Sequence, residues 1–174
     1  MDTAQDGVDP GTVTTPTRTI LVVGSGPVAD ATSRLAAVLE WKVEQTDVSA
    51  AGQVGSLGPD DAVVVLSHDP EVDGPTLAAA VASDVGYVGA MGSRRTQERR
   101  REWLAGAGVD VDARDRIHGP AGLDIGADTP PEIALAVVAQ VVALARGASG
   151  VQGVDERGGP IHPDKPEGGD CPGG

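Results

Sequence analysis

Residues Tyr87 to Arg101 read YVGAMGSRRTQERRR: an apolar run, a glycine-containing turn, and then a helical segment with five arginines within eight residues. The whole chain of 174 residues has only 13 Lys and Arg against 26 Asp and Glu, so this cluster stands out in a chain of net charge −13. A strand that ends in a glycine turn and opens a helix directs backbone N–H groups and the positive helix end beyond the strand. The stretch therefore predicts a strand-turn-helix unit with an anion site at the turn.

Five residues of this stretch are the first candidates for ligand binding. Ser93 is predicted to cap the helix through its hydroxyl, and Gly89 and Gly92 are predicted to allow a tight turn or a close approach to a ligand. Arg94 and Arg95 stand at the helix start, where they reinforce the positive end. We expect these two arginines to contact an anionic ligand.

The remaining arginines of the helix, 99 to 101, lie further along it. We interpret them as a solvated face whose cations offset neighbouring carboxylates. The net charge of −13 argues against non-specific nucleic-acid binding and against anionic membrane surfaces. We therefore expect neither nucleic acid nor a membrane as a partner.

Composition divides the chain into a core and two tails. Residues 1–18 are polar, and residues 147–174 are rich in Gly, Pro, Asp and Glu, so both ends are predicted to be disordered. Residues 19–146 are long enough for one domain with its own core. Phe is absent and the only aromatic residues are two Trp and one Tyr, so that core must be mainly aliphatic.

Several cellular settings and site types are excluded by simple counts. The single cysteine, Cys171, lies in the C-terminal tail and provides neither a disulfide framework nor a metal cluster. No apolar run approaches the roughly 20 residues of a membrane-spanning helix, and the N-terminus lacks the regions of a signal peptide. A soluble, cytoplasmic protein without a metal site is the expectation.

The first glycine turn follows the apolar run Thr19 to Val23. Gly24 and Gly26 begin a G-x-G-x-x-A pattern at the start of a predicted helix over residues 28–41, and Asp47 ends the next apolar segment. This spacing fits a dinucleotide-binding turn with an acid for the ribose. Pro27 suits the first helical position but removes a backbone N–H from that turn. The two glycines are therefore interpreted as structural first, with a ligand role kept open.

The run Ala62 to Ser67 is predicted to be a strand buried on both faces. His68 and Asp69 follow it at the carboxyl end, which is the edge where ligands bind in open α/β sheets. His68 is a candidate for ligand contact as much as for a turn, whereas Asp69 is interpreted mainly as a turn residue before Pro70.

The other segments complete an alternating pattern. Residues 48–61 suggest a long loop or a reduced crossover, residues 75–83 a short helix, and residues 112–117 one further turn. A glycine-rich loop, residues 118–130, contains His118 and Asp124; an organising role within the loop is preferred for Asp124. From Pro131 the chain is helical and apolar nearly all round, so it should be buried, with Thr129 as its N-cap and Glu132 near its positive end.

Alternating strands and helices predict an α/β fold, a Rossmann-like three-layer domain with a mainly parallel sheet. A shortened first half, in which one strand is missing, is an alternative within this class, because residues 48–61 show no convincing period. The ligand crevice is expected at the carboxyl ends of the strands. It would gather the first glycine turn, His68, residues 89–95 and the loop from His118 to Gly126.

Two motifs carry a resemblance to a known family. YVGAMGSRRT and IHGPAGLDIGADTPPEIALAVVA, with GSGPVA and VVVLSHDP, resemble the C-terminal Rossmann-like domain of the XdhC and CoxI family, accessory proteins of molybdenum hydroxylases. The resemblance spans essentially residues 19–146. It implies binding of the molybdenum cofactor (molybdopterin) and its insertion into xanthine dehydrogenase or a related enzyme. Gly89, Gly92, Ser93, Arg94, Arg95, Thr129, Pro130 and the loop from His118 to Gly126 match the family's motif positions.

This chain departs from the family pattern in three places. Pro27 stands where the family often has His, the segment from Asp47 to Asp61 is shorter, and the family's N-terminal domain is not part of the sequence. A sulfur-transfer role is therefore not implied. The expected role is that of a cofactor-binding chaperone rather than a catalyst.

Two other functions stay open. The first is a nicotinamide-dependent oxidoreductase that binds NAD(P) through Gly24, Gly26 and Asp47; Pro27 and the lack of room for a substrate domain oppose it. The second is a regulatory paralogue that binds a partner protein or a nucleotide. A molybdenum hydroxylase is the expected client, and exposed apolar faces of the last helix would allow a homodimer.

Overall fold

The computed structural model describes residues 17–148 and Gly153. Five parallel strands form one sheet in the order β2-β1-β3-β4-β5. The strands are β1 (Thr19–Val23), β2 (Lys42–Thr46), β3 (Ala62–Val65), β4 (Tyr87–Ala90) and β5 (Ile117–His118). The predicted Rossmann-like α/β fold with a parallel sheet is confirmed.

Helices cover both faces of this sheet. Their bounds are α1 (Pro27–Val38), α2 (Ala51–Val54), α3 (Pro70–Val81), α4 (Arg94–Gly106), α5 (Val111–Asp115) and α6 (Pro130–Ala145). Helices α1 and α6 pack over one face, and α2, α3 and α4 pack over the other. The result is three layers, with an aliphatic core on each side of the sheet.

Alternation along the strands divides the side chains between the two cores. Leu21 and Val23 of β1 face the α2–α4 side, whereas Ile20 and Val22 face the α1–α6 side. All four residues of β3 are buried, as expected for a central parallel strand. Tyr87 is an aromatic residue among otherwise aliphatic groups in the core.

The first half of the sheet is complete. The alternative in which a strand is missing there is wrong, because β2 pairs with β1 from Thr19 with Lys42 to Val23 with Thr46. The sequence KVEQT is only weakly apolar since β2 is an edge strand with exposed positions. The reduced element is the crossover between β2 and β3, whose helix α2 has four residues.

Two helix predictions need correction. The helix predicted over residues 75–83 begins at Pro70, since Asp69 caps it, and continues through Pro75. Helix α6 is not buried all round: Leu135 is 50% exposed and Val142 is 37% exposed. One stripe of α6 packs on α1 and the sheet, and the opposite stripe faces outward although it is apolar.

Both predicted tails fall almost wholly outside the described residues, as does Cys171. At the C-terminal end, Gly153 forms an antiparallel bridge with Leu123. None of the helices in the described part of the chain is both long and apolar enough to cross a membrane.

Candidate functional site

The loops at the carboxyl edge of the sheet are each hydrogen-bonded to the last residue of the neighbouring strand. The Ser67 N–H donates to Val23 O at 3.0 Å, and the Met91 N–H donates to Val65 O at 2.8 Å. The Ala121 N–H donates to Ala90 O at 3.0 Å. The loops after β1, β3, β4 and β5 therefore lie side by side, as the strand order requires. This edge brings together the predicted segments.

The turn after β4 is built as predicted for the start of a helix. Gly92 has φ +129°, a backbone conformation that favours glycine, and Ser93 caps α4 by accepting a hydrogen bond from the Thr96 N–H at 3.3 Å. Arg94 and Arg95 are the first two residues of α4, and both are exposed. The first turn of α4 contains no acidic residue. An anion at this helix end would therefore meet positive charge without a competing carboxylate in that turn.

Gly89 lies inside β4, before the turn that contains Gly92. A Cβ atom at this position would lie 2.5 Å from the hydroxyl of Tyr87. The glycine is needed because the Tyr87 ring lies over it on the same face of the strand. The Tyr87 hydroxyl in turn donates to Gln140 Oε1 at 2.7 Å.

His118 is placed by the same tyrosine. Its ring stacks on Tyr87 with centroids 5.1 Å apart and an interplanar angle of 6°. Gln140 Oε1 also accepts from the Gly122 N–H at 2.7 Å, so β4, α6 and the loop after β5 share one hydrogen-bond acceptor. His118 belongs to the short strand β5, which was not predicted, and it is half-buried.

Asp124 is half-buried in the loop that follows β5. Gly122 has φ +113° and Gly126 has φ +71°, and the Leu123 N–H donates to Ala136 O at 3.1 Å. The loop is therefore attached to α6 on one side and to Gly153 on the other.

Beyond this loop, the start of α6 is held by the Glu132 carboxylate. It accepts from the N–H groups of Thr129 at 2.9 Å and Asp128 at 3.0 Å. These two backbone hydrogen bonds lower the pKa of Glu132, Thr129 being the larger contribution. The predicted positions of Thr129 as N-cap and of Glu132 near the helix end are confirmed.

His68 and Asp69 follow β3 with different roles. Asp69 is the N-cap of α3 and accepts from the Glu71 N–H at 3.0 Å, which confirms its structural interpretation. His68 is exposed at the carboxyl edge of the sheet, between the loops after β1 and β4.

The first glycine turn lets two neighbouring strands pack closely. Gly24 has φ +134°, and a Cβ there would lie 2.7 Å from the Ser67 nitrogen, so this glycine allows β1 to approach β3. Gly26 is the N-cap of α1, and Pro27 takes the first helical position that was predicted for it. Asp47 is exposed directly after β2, the strand beside β1. Asp30 in the first turn of α1 is a carboxylate that an anion at this helix end would meet.

The interpretation of Arg100 as part of a solvated face is wrong. Its side chain is 8% exposed and forms a buried ion pair with Asp73 of α3, with Nη2 2.5 Å from Oδ2. Arg99 is exposed, and Arg101 forms an exposed ion pair with Asp115 at 3.3 Å, as expected for a solvated face. The helical spacing contained the signal, because residues 97, 100 and 104 share the buried stripe of α4.

Burial raises the pKa of Asp73, and the charge of Arg100 opposes this effect. One carboxylate oxygen, Oδ1, has no hydrogen-bond partner among the described residues. Arg100 is the charged partner that offsets the burial of this carboxylate. Nothing in the sequence around Asp73 indicated the pair, since its two members lie on different helices.

Comparison with known proteins identifies the family. Residues 20–141 match the profile described as the XdhC Rossmann domain. The chain belongs to the XdhC family. It is 30% identical over 125 residues to the molybdenum cofactor insertion chaperone PaoD of Escherichia coli (strain K12), which covers 72% of this chain and 39% of PaoD. It is also 32% identical over 84 residues to a probable xanthine dehydrogenase subunit of Bacillus subtilis (strain 168), covering 48% and 23% of the two chains.

A solved structure shows the same fold. The crystal structure described as a xanthine dehydrogenase from Bacillus halodurans superposes with a TM-score of 0.62 at 21% identity, over 78% of this chain and 44% of that chain. This XdhC chain thus spans less than half the length of these relatives.

Proposed function

We propose that this XdhC-family chain is an accessory protein that binds the molybdenum cofactor and serves its insertion into a molybdenum hydroxylase such as xanthine dehydrogenase. The observation that carries the proposal is the similarity to the cofactor insertion chaperone PaoD, together with the family match over residues 20–141. In this role the cofactor is cargo, and its redox chemistry belongs to the client enzyme.

The residues at the carboxyl edge fit such a cargo. Molybdopterin is anionic at its phosphate and at its metal–dithiolene head. Gly92 and Ser93 open α4 with its positive end toward the edge of the sheet, and Arg94 and Arg95 add exposed cations beside it. His68 and the loop from His118 to Gly126 lie on either side of this turn. These segments would hold the cofactor.

Anaerobic titration of the purified chain with released molybdenum cofactor tests the proposal. We expect saturable binding at micromolar or lower cofactor concentration and no turnover. The double variant Arg94→Ala/Arg95→Ala should bind at least about tenfold more weakly, since each charged hydrogen bond is worth about 1.5–3 kcal/mol. Arg99→Ala/Arg101→Ala is the matched control, because it removes the same charge from exposed positions of the same helix. Equal losses in the two double variants would remove Arg94 and Arg95 from the site.

The nicotinamide alternative is favoured by one arrangement. Gly24 and Gly26 lie between β1 and α1, and Asp47 follows the adjacent strand β2, as in dinucleotide-binding sites. Asp30 and Pro27 at the start of α1 oppose a phosphate there. Titration with NADH and NADPH decides between the sites: binding of a nicotinamide alone, abolished by Asp47→Ala, would replace the cofactor proposal.

The client and the oligomeric state belong to the same proposal. A molybdenum hydroxylase should co-purify with the cofactor-loaded chain; a stable complex without any pterin binding would instead favour the regulatory paralogue.

The outward stripe of α6, with Leu135 and Val142, is the surface expected to pair two copies of this chain. Sedimentation of the wild type beside Leu135→Glu/Val142→Glu measures this, and an unchanged monomer in both would exclude the homodimer.

A further inference from the structure

The buried side chain of Arg100 connects two adjacent loops of the candidate site. Its Nε and Nη2 atoms bind Asp73 Oδ2 at 2.9 and 2.5 Å, and Nη2 also donates to the Ser67 carbonyl at 3.0 Å. Nη1 donates to the Met91 carbonyl. Ser67 follows β3 and Met91 follows β4. One buried guanidinium therefore fixes the chain after both strands.

Gln97 extends this contact set by one helical turn. Its Nε2 donates to the Ala90 carbonyl at 3.0 Å and to the Gly92 carbonyl at 3.3 Å. Its Oε1 accepts from Arg100 Nη1 at 3.3 Å, so the two side chains form one network. Together they engage the carbonyls of Ser67, Ala90, Met91 and Gly92.

The direction of these carbonyls sets the direction of the N–H groups that follow them. In a planar trans peptide, the C=O of one residue and the N–H of the next point in opposite directions. The N–H groups of His68, Gly92 and Ser93 therefore point away from the Arg100 network. Among the described residues these three N–H groups donate to no acceptor, whereas the N–H of Met91 is used in the sheet.

We propose that Asp73, Arg100 and Gln97 are positioning residues that hold the N–H groups of His68, Gly92 and Ser93 toward a phosphate group of the ligand. This inference rests on the proposed function, because it assigns how the anionic part of that ligand is held. Asp73 keeps the guanidinium in the interior, Arg100 and Gln97 bind the carbonyls, and none of the three contacts the ligand. Arg94 and Arg95 add positive charge near these N–H groups, which the network has already oriented.

The test uses the full chain with inorganic pyrophosphate and, separately, with released molybdenum cofactor. Amide ¹H–¹⁵N shifts of His68, Gly92 and Ser93 are followed in the wild type, in Arg100→Lys and in the control Arg101→Lys. A lysine retains the charge opposite Asp73, but one ammonium cannot bind this carboxylate and two carbonyls in the geometry of a guanidinium. We expect the three amides to shift with pyrophosphate, and Arg100→Lys to reduce both the shift and the affinity about tenfold. Arg101→Lys should behave as the wild type because its side chain is exposed.

The outcomes separate this inference from the proposed function. Cofactor binding to the wild type without movement of the three amides would overturn the inference and leave the proposed function standing. If the three amides shift with pyrophosphate but the chain does not bind the cofactor, the proposed function is overturned and the inference about phosphate stands. If Arg100→Lys does not fold, Gln97→Met removes two carbonyl contacts without unpairing Asp73. Wild-type shifts and wild-type affinity in that variant would also overturn the inference.

Discussion

At the scale of single residues, the stability of the fold depends strongly on one arginine among the five of α4. Replacing Arg100 by Met leaves the Asp73 carboxylate buried and unpaired, and breaking a buried pair in this way costs about 3–5 kcal/mol. We therefore expect Arg100→Met to lower the free energy of unfolding by that amount, measured by urea unfolding at pH 7.

Arg101→Met is the matched comparison for this prediction. Its partner Asp115 is exposed, and exposed pairs contribute about 0–1 kcal/mol. The double variant Arg100→Met/Asp73→Leu should recover much of the loss, because it removes the unpaired charge together with its partner. Equal losses for Arg100→Met and Arg101→Met would show that Arg100 is not buried in solution.

Gly89 is a second residue whose replacement should be costly. A methyl group at this position would overlap the Tyr87 ring, which stacks on His118 and binds Gln140. We expect Gly89→Ala to destabilise the fold by about 2–3 kcal/mol, from overpacking and the strained hydrogen bond. Gly106→Ala is the control, since nothing lies within 4 Å of the added atom at the end of α4. That change should stabilise by about 0.5–1 kcal/mol in the same thermal unfolding series. A Gly89→Ala protein as stable as wild type would mean that Tyr87 adopts another position.

At the scale of elements, the start of α6 gives a pH-dependent contribution. The pKa of Glu132 is lowered in the folded chain by the backbone N–H groups of Thr129 and Asp128. The folded state therefore binds this proton less readily than the unfolded state, so the stabilisation is complete above the unfolded pKa of about 4.3. It is lost as the pH falls through the lower folded pKa.

Glu132→Gln should show this effect directly. We expect the variant to be less stable than wild type at pH 7, and the difference in melting temperature to shrink as the pH falls below about 4. Glu98→Gln, at an exposed position of α4, serves as the control. A difference that stays constant from pH 7 to pH 3 would mean that the carboxylate charge does not act at this helix end.

Local patterns were sufficient to predict most elements and several caps. The β-branched run of β3, the turn at Ser93 and the Thr129–Glu132 helix start each depend on residues that are close in sequence, and all three are confirmed. The edge strand β2 was recognised only as an apolar segment that ends at Asp47, and the two-residue strand β5 was missed, since exposed or very short strands bury too little to leave a clear apolar pattern. For α6 the apolar pattern predicted too much burial. Its outward stripe is apolar but exposed, because an apolar residue can remain at the surface.

At the scale of the whole molecule, the topology decided what sequence spacing could not. The strand order places the loops after β1, β3, β4 and β5 at one edge, as predicted from the alternation of strands and helices. The contact between Arg100 and Asp73 joins residues 27 positions apart on two helices, and no local pattern reports it. The positions that the family motifs share are compatible with this edge, and their contacts with a ligand stay a prediction.

The contrast between net charge and local charge gives a last prediction, on ionic strength. The chain as a whole carries −13 and should repel an anionic ligand at long range, whereas in the proposed site Arg94 and Arg95 would attract it at contact. The Debye length falls from about 30 Å at 0.01 M salt to about 10 Å at 0.1 M and about 3 Å at 1 M. Moderate salt therefore screens the distant carboxylates first, and only high salt weakens the contact with the arginines.

We expect the affinity for released molybdenum cofactor to be highest near about 0.1 M salt and to fall on either side. In Arg94→Ala/Arg95→Ala the decrease at high salt should disappear, while the increase from 0.01 to 0.1 M should remain, because the distant carboxylates are unchanged. Anaerobic titrations at three salt concentrations measure both the rise in affinity at low salt and its fall at high salt. A steady loss of wild-type affinity from the lowest salt upward would show that the arginines outweigh the acidic surface at every distance.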